Sequence, residues 1–157
     1  MWLKNNISRK ELKKLNSFYW LFSLDLKSSK KIIRSIISNW IEINKNYNSK
    51  TWDFDLTAKR IITWLSSYNL TFEDSDENYK RKFNSMIQKQ TNHLINEINK
   101  TKVYDDKLIG CAAIILVGLC YKFDKNHLTN ALNILKKISK VSLDNTGFPK
   151  SRNIKQL

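Results

Sequence analysis

The sequence predicts an all-α fold built from antiparallel helical hairpins, and three observations predict it. Apolar residues recur at three- and four-residue spacing through most of the chain, the period of a helix with one buried side. Polar capping residues stand just before these stretches. Only 3 Gly and 1 Pro occur, too few for the many turns of a sandwich or barrel. The 157 residues favour a single helical domain, 1–157, long enough to bury about two-thirds of the surface that the unfolded chain exposes.

The first helix opens at Ser8-Arg9-Lys10-Glu11, where a hydroxyl and a carboxylate three residues on can cap the first turn reciprocally. Leu12, Leu15, Tyr19 and Phe22 set its inner side, and the pattern runs to about Leu26. Ser28 or Ser29 caps the second helix, whose stripe is Ile32, Ile33, Ile36, Ile37, Trp40, Ile41 and Ile43. So much isoleucine suits a strand, but the period decides for helix. A polar connection follows at 44–49, then Asp53 or Asp55 caps a third helix with Leu56, Ile61, Trp64, Leu65 and Tyr68 inward. The acidic run Glu73-Asp74-Ser75-Asp76-Glu77 offsets the positive end of the fourth helix dipole. That helix turns Tyr79, Phe83, Met86, Ile87, Gln90, Leu94 and Ile98 inward. Asp105 or Asp106 opens a fifth helix that ends near Phe123, and Asn126 caps a sixth with Leu128, Ala131, Leu132, Leu135 and Ile138 inward. The pattern breaks at 144–149, and a further element starts near Ile154.

Short polar loops make successive helices antiparallel neighbours. No tetratricopeptide-like repeat is visible, so a closed bundle and an arc of hairpins from an α/α toroid both remain. Residues 108–121 carry no charge. They fall short of the roughly twenty residues of a membrane span and read instead as a core helix with neighbours on every side, as in an inner ring. Gly110 and Gly118, on roughly one side of that helix, allow close helix approach. Cys111 and Cys120 lie about 180° apart around it, so two buried free thiols are expected rather than a disulfide. The first residues show no signal-peptide pattern, and the expected product is soluble, periplasmic or cytoplasmic.

The net charge is +14, from 28 Lys and Arg against 14 Asp and Glu. A charge of that size attracts polyanions. The cations are mostly lysines in short runs such as Lys13-Lys14 and Lys136-Lys137, scattered among Asn and Ser. That is the pattern of solvated helix faces, which disfavours nucleic acid as a partner. There is no phosphate loop, no metal-ligand spacing and no complete catalytic constellation, so no metal and no cofactor are expected.

Three stretches stand out. They are Trp52-Asp53-Phe54-Asp55-Leu56-Thr57-Ala58-Lys59-Arg60-Ile61-Ile62-Thr63-Trp64-Leu65, then Gln88-Lys89-Gln90-Thr91-Asn92-His93-Leu94, then Thr146-Gly147-Phe148-Pro149-Lys150-Ser151-Arg152-Asn153. In this order, and with the aromatic opening Phe18-Tyr19-Trp20-Leu21, the chain resembles the helical N-terminal region of heparinase II/III-like polysaccharide lyases. The resemblance covers nearly the whole chain. It implies part of an incomplete α/α toroid within a longer protein, whose C-terminal β-sandwich domain is absent here. It also implies an acidic polysaccharide as partner, cleaved by β-elimination at a uronic acid. An amide or imidazole neutralises the uronate carboxylate in that reaction, and a base takes the C5 proton as O4 departs.

Carried over by motif, Asn153 is the candidate catalytic residue, and Arg152, Trp52, Arg60 and Trp64 are candidates for substrate binding. Pro149 and Thr146 stand where the family turn carries His and Asp, and a proline can serve as neither acid nor base. The chain alone is therefore expected to show no lyase activity. Plainer readings stand beside each candidate. Trp64 lies on an apolar helix side and suits a core. Arg60 suits a structural pair with an acid such as Asp55 or Glu97. His93 suits a hydrogen-bonded ring at the core edge. Arg152 and Asn153 suit a surface pair and a helix cap. The alternative function is a non-enzymatic basic module that binds nucleic acid, glycan or a partner protein.

Overall fold

A computed structural model describes residues 8–25, 29–121, 125–142, 144 and 146. Every regular element among them is helical, as the sequence predicts. They are α1 (Arg9–Ser17), a 3-10 turn (Tyr19–Ser23), α2 (Lys30–Ile43), α3 (Phe54–Ser66), α4 (Tyr68–Thr71), α5 (Glu77–Glu97), α6 (Tyr104–Cys120) and α7 (Lys125–Ser142). α3 lies at the centre, against α1, α5 and α6, while α2 crosses α4 and α5, and α7 packs on α6.

The cap signals hold for the first two helices, but not for the last two: α6 starts at Tyr104 after Val103, so Asp105 and Asp106 lie in its first turn, and Asn126 lies inside α7. Ser8 and Glu11 form a complete capping box, Ser29 accepts from the Ile32 amide, and Asp76 accepts from the Tyr79 amide. Asp53 precedes α3 but makes no side-chain cap; its carboxylate binds Lys13 at 3.2 Å. All the inner residues expected of α5 are buried.

Several expectations are corrected. The first helix does not reach Leu26, which lies outside the described residues; it stops at Phe18, whose φ of 59° is left-handed. That break drives the Phe18 ring into the core against Trp40 and Trp64, at centroid distances of 6.1 and 5.2 Å. It also turns Tyr19 and Phe22 outward, leaving Leu21 as the buried side chain of the 3-10 turn. In α2, Ile32 and Ile43 are exposed, and the buried stripe narrows to Ile33, Ile37, Trp40 and Ile41. The third helix ends at Ser66, so the exposed Tyr68 belongs to α4 and not to its inner side. The Thr71 hydroxyl fixes this corner by donating to the Trp64 carbonyl at 2.7 Å.

α6 is not enclosed all round. Gly110, Cys111, Ala113, Ile114 and Val117 are buried against α3, α5 and α7, but Ala112 and Leu119 are exposed, Leu119 by 73%. Cys120 is likewise exposed, so only Cys111 is a buried thiol, and both are free. A Cβ on Gly110 would collide with the Phe54 ring, and one on Gly118 would press on Leu128 at 3.2 Å, so close approach does explain both glycines. On α7, Ala131 and Ile138 are buried, whereas Leu132 faces solvent.

Candidate functional site

Arg60 is the centre of the predicted Trp–Arg–Trp stretch, and it is fully buried. Its Nε donates to Gln90 Oε1 at 2.8 Å, and Nη1 donates to the carbonyls of Asn16 and Thr51 at 2.9 and 3.0 Å. Nη2 reaches Thr57 Oγ1 at 3.3 Å, and the guanidinium carbon lies 3.9 Å from the centroid of the Trp40 ring. Burial pulls its pKa down. The acid partner expected for it is absent: Asp55 binds Lys59 at 3.0 Å, and Glu97 binds Lys100 at 2.8 Å. Neutral oxygens and a π face hold this charge instead. They tie α1, α2, α3, α5 and the loop before α3 to one side chain, and the fork geometry of Arg is what permits it.

The neighbouring candidates sit around this nest. Trp40 Nε1 donates to Asn16 Oδ1 at 2.7 Å. Trp52 is nearly buried, with its Nε1 on the Asn44 carbonyl at 3.1 Å. His93 places Nε2 at 2.9 Å from the Trp52 carbonyl, which requires the proton on that nitrogen, and its ring meets Tyr47 and Trp52. Trp64 has no exposed surface and packs against Phe18, Trp40 and Phe83. Arg60, Gln90, Trp40 and Trp52 thus converge, but inside the protein, with His93 half-buried at their edge. A sugar needs a bare aromatic face or an open donor, and Arg60 and Trp64 present neither at the surface. Asn153, Arg152 and Pro149 lie outside the described residues; Thr146 donates through its amide and hydroxyl to Asp144.

What opens to solvent lies on the other side of the same elements. A groove of about 690 Å³ runs between α1, the 3-10 turn and the first turns of α3, lined among others by Lys13, Lys14, Tyr19, Trp20, Asp55 and Lys59. Tyr19 is 42% exposed, and its ring lies 5.7 Å from that of Phe22, itself 54% exposed. Trp20 is half-buried, with Nε1 turned back to the Leu15 carbonyl at 3.4 Å. Lys13 and Lys59 lean on Asp55, at 3.9 and 3.0 Å, while Lys14 makes no salt bridge among the described residues. The sequence signal for this site was the run of aromatics at 18, 19, 20 and 22. No single helical side can bury all four, so some had to face out.

A second groove, about 530 Å³, lies between α2 and the start of α5, and three of its four cations are already matched, Lys31 being the exception among the described residues. Lys30 binds Glu73 and Asp74, Lys82 binds Glu42, and Arg34 donates to the Glu73 carbonyl. Among the described residues no three His, Cys, Asp or Glu side chains are placed to hold a metal ion, and no helix is long and apolar enough to cross a membrane. No family model, curated protein or solved structure matches the chain.

Proposed function

We propose that the chain is the helical part of a polysaccharide lyase acting on a uronate-containing polymer, and that the polymer lies in the groove beside Trp20. The observation that carries this reading is the pairing of exposed aromatic rings with lysines along one open groove. Ring faces suit the C–H faces of pyranoses, and ammonium groups suit uronate carboxylates. In the reaction the C5–H bond gives its electrons to a new C4=C5 double bond, the proton goes to a base, and O4 leaves with a proton. Asn153 and Arg152 are the groups proposed to hold the carboxylate. The residues of the groove bind and orient the chain; they supply no base. The rest of the ring and a β-sandwich domain would complete the cleft, and the exposed side of α6 is a surface on which further helices can pack.

The test is a titration of the chain with an oligogalacturonate and with a neutral maltohexaose, followed by tryptophan fluorescence. The acidic oligosaccharide should bind, the neutral one at least tenfold more weakly, and Trp20→Ala should weaken the acidic one about tenfold. Equal binding of both sugars, or an unchanged Trp20→Ala, would overturn the groove. Unsaturated-uronate absorbance should not develop with the chain alone; if it does, the proposal that the catalytic set lies partly elsewhere fails.

A further inference from the structure

The bare side of α6 is an ordered stripe. Tyr104, Leu108, Ala112, Ile115 and Leu119 follow one another at spacings of four, four, three and four, which sets them along one side of the helix. Tyr104 is 54% exposed and Leu119 73%, and Ala112 lies open between the half-buried Leu108 and Ile115. α3, α5 and α7 pack elsewhere around the helix and leave Tyr104, Ala112 and Leu119 exposed.

Two properties decide what fits this stripe. The first is its symmetry of size. Positions 104 and 119 are centred on the same point as positions 108 and 115, and the small Ala112 stands beside that point. Outward from it, each direction runs through a half-buried aliphatic residue to a large exposed one. Such a stripe is complementary to a copy of itself turned end for end. Tyr104 then meets the second copy's Leu119, Leu108 meets its Ile115, and the two Ala112 side chains face each other, which lets the helix axes close to about 8 Å. The second property is charge. With 28 Lys and Arg and a net +14, most faces of two copies repel. This stripe does not. Residues 108–121 carry no charge, and the one cation of α6, Lys107, points about 100° away from Leu108.

We propose that the stripe is a dimer interface, in which two copies of the chain associate about a twofold axis with their α6 helices antiparallel and crossing at Ala112. A contact of this kind uses the same surface on both copies and closes on itself, so assembly stops at two. One helix pair covers less than the about 800 Å² per partner of a standard interface, which places the dissociation constant at about 10–100 μM. The dimer does not depend on the saccharide reading, because the groove beside Trp20 lies on α1, the 3-10 turn and α3.

Sedimentation equilibrium in about 0.3 M NaCl, where surface repulsion is screened, should fit a monomer–dimer equilibrium. Leu119→Lys should raise the dissociation constant at least tenfold with an unchanged circular dichroism spectrum. The cysteines report the direction of the helices. In the antiparallel pair the two Cys120 thiols, each eight residues from Ala112, stand about 25 Å apart along the axis, whereas the two Ala112 positions lie within disulfide reach. Ala112→Cys combined with Cys120→Ser should therefore give a covalent dimer under mild oxidation with diamide. The wild-type chain, whose Cys120 is exposed and Cys111 buried, should give at least fivefold less. A chain that stays monomeric at about 500 μM, ten times the middle of the expected range, would overturn the dimer and leave the stripe to further helices of a longer chain. Association unaltered by Leu119→Lys, or wild-type coupling equal to that of the double variant, would overturn it as well.

Discussion

Arg60 shows what one side chain can hold together. Its donors meet the carbonyls of Asn16 and Thr51, the Gln90 amide oxygen and the Thr57 hydroxyl, and its plane rests on Trp40. Lysine in its place keeps the charge but offers one ammonium where a flat fork now reaches four acceptors. Arg60→Lys should therefore lower unfolding stability by about 3 kcal/mol, seen as a lower denaturant midpoint. An unchanged midpoint would mean that the nest contributes nothing net. Phe18 is the second such residue. Its left-handed backbone is a strained conformation for a bulky side chain, sustained by a fully buried ring between Trp40 and Trp64. Phe18→Ala removes the ring and should cost about 4 kcal/mol by the same measurement. Neither feature was legible beforehand. The Arg60 acceptors are mostly main-chain carbonyls, which the sequence does not display, and a left-handed phenylalanine carries none of the Gly or Asn signals that mark such a turn.

Among the helices, legibility follows the physics of each signal. Caps are local chemistry, so Ser8 and Ser29 were readable, and so was the inner side of α5, whose period is regular over 21 residues; the acidic run before α5 was readable only as a dipole effect, and the structure singles out Asp76 as its cap. Periodicity fails where a helix has none. α6 is apolar all round, which told that it was a helix but not which side would be covered; one side is bare at Ala112 and Leu119. Leu119→Lys should accordingly change stability by no more than about 0.5 kcal/mol, whereas Val117→Lys on the buried side should abolish folding. The cap of α5 gives a pH dependence. The backbone amide of Tyr79 holds the Asp76 carboxyl below its ordinary 3.8. With the folded value depressed, this contribution is complete above 3.8 and is lost as the pH falls through the folded value. Asp76→Asn still accepts from the amide but no longer titrates. Thermal melts should match wild type near pH 7, and the acid-side loss of stability should be shallower in the variant. Parallel acid profiles would remove Asp76 from the account.

For the molecule as a whole, stability should be uneven in a direction that the packing sets. The aromatic core of Phe18, Trp40, Trp64 and Phe83 joins the 3-10 turn to α2, α3 and α5, and Arg60 adds α1 to the same unit. Opening any one of these elements exposes large rings and strands a buried charge, so they should open together, near the global unfolding free energy. α7 is placed differently. It packs on α6, buries only Ala131 and Ile138 fully among its described side chains, and has a lysine-rich outer side including Lys136 and Lys137. Its opening exposes Ala131, Ile134, Leu135 and Ile138 but leaves the aromatic core and the Arg60 nest closed. Native-state hydrogen exchange should therefore find the α7 amides opening sub-globally, at least tenfold faster than those in the middle of α3 and α5. The bare side of α6 sharpens the contrast, because α6 is braced by α3 beneath and has exposed Ala112 and Leu119 elsewhere on its circumference. Its Cys111 and Val117 amides should exchange with the core set and not with α7. Equal protection across α3, α5 and α7 would mean that the chain is one cooperative unit to its last helix, and that the α6–α7 contact is as strong as the aromatic core.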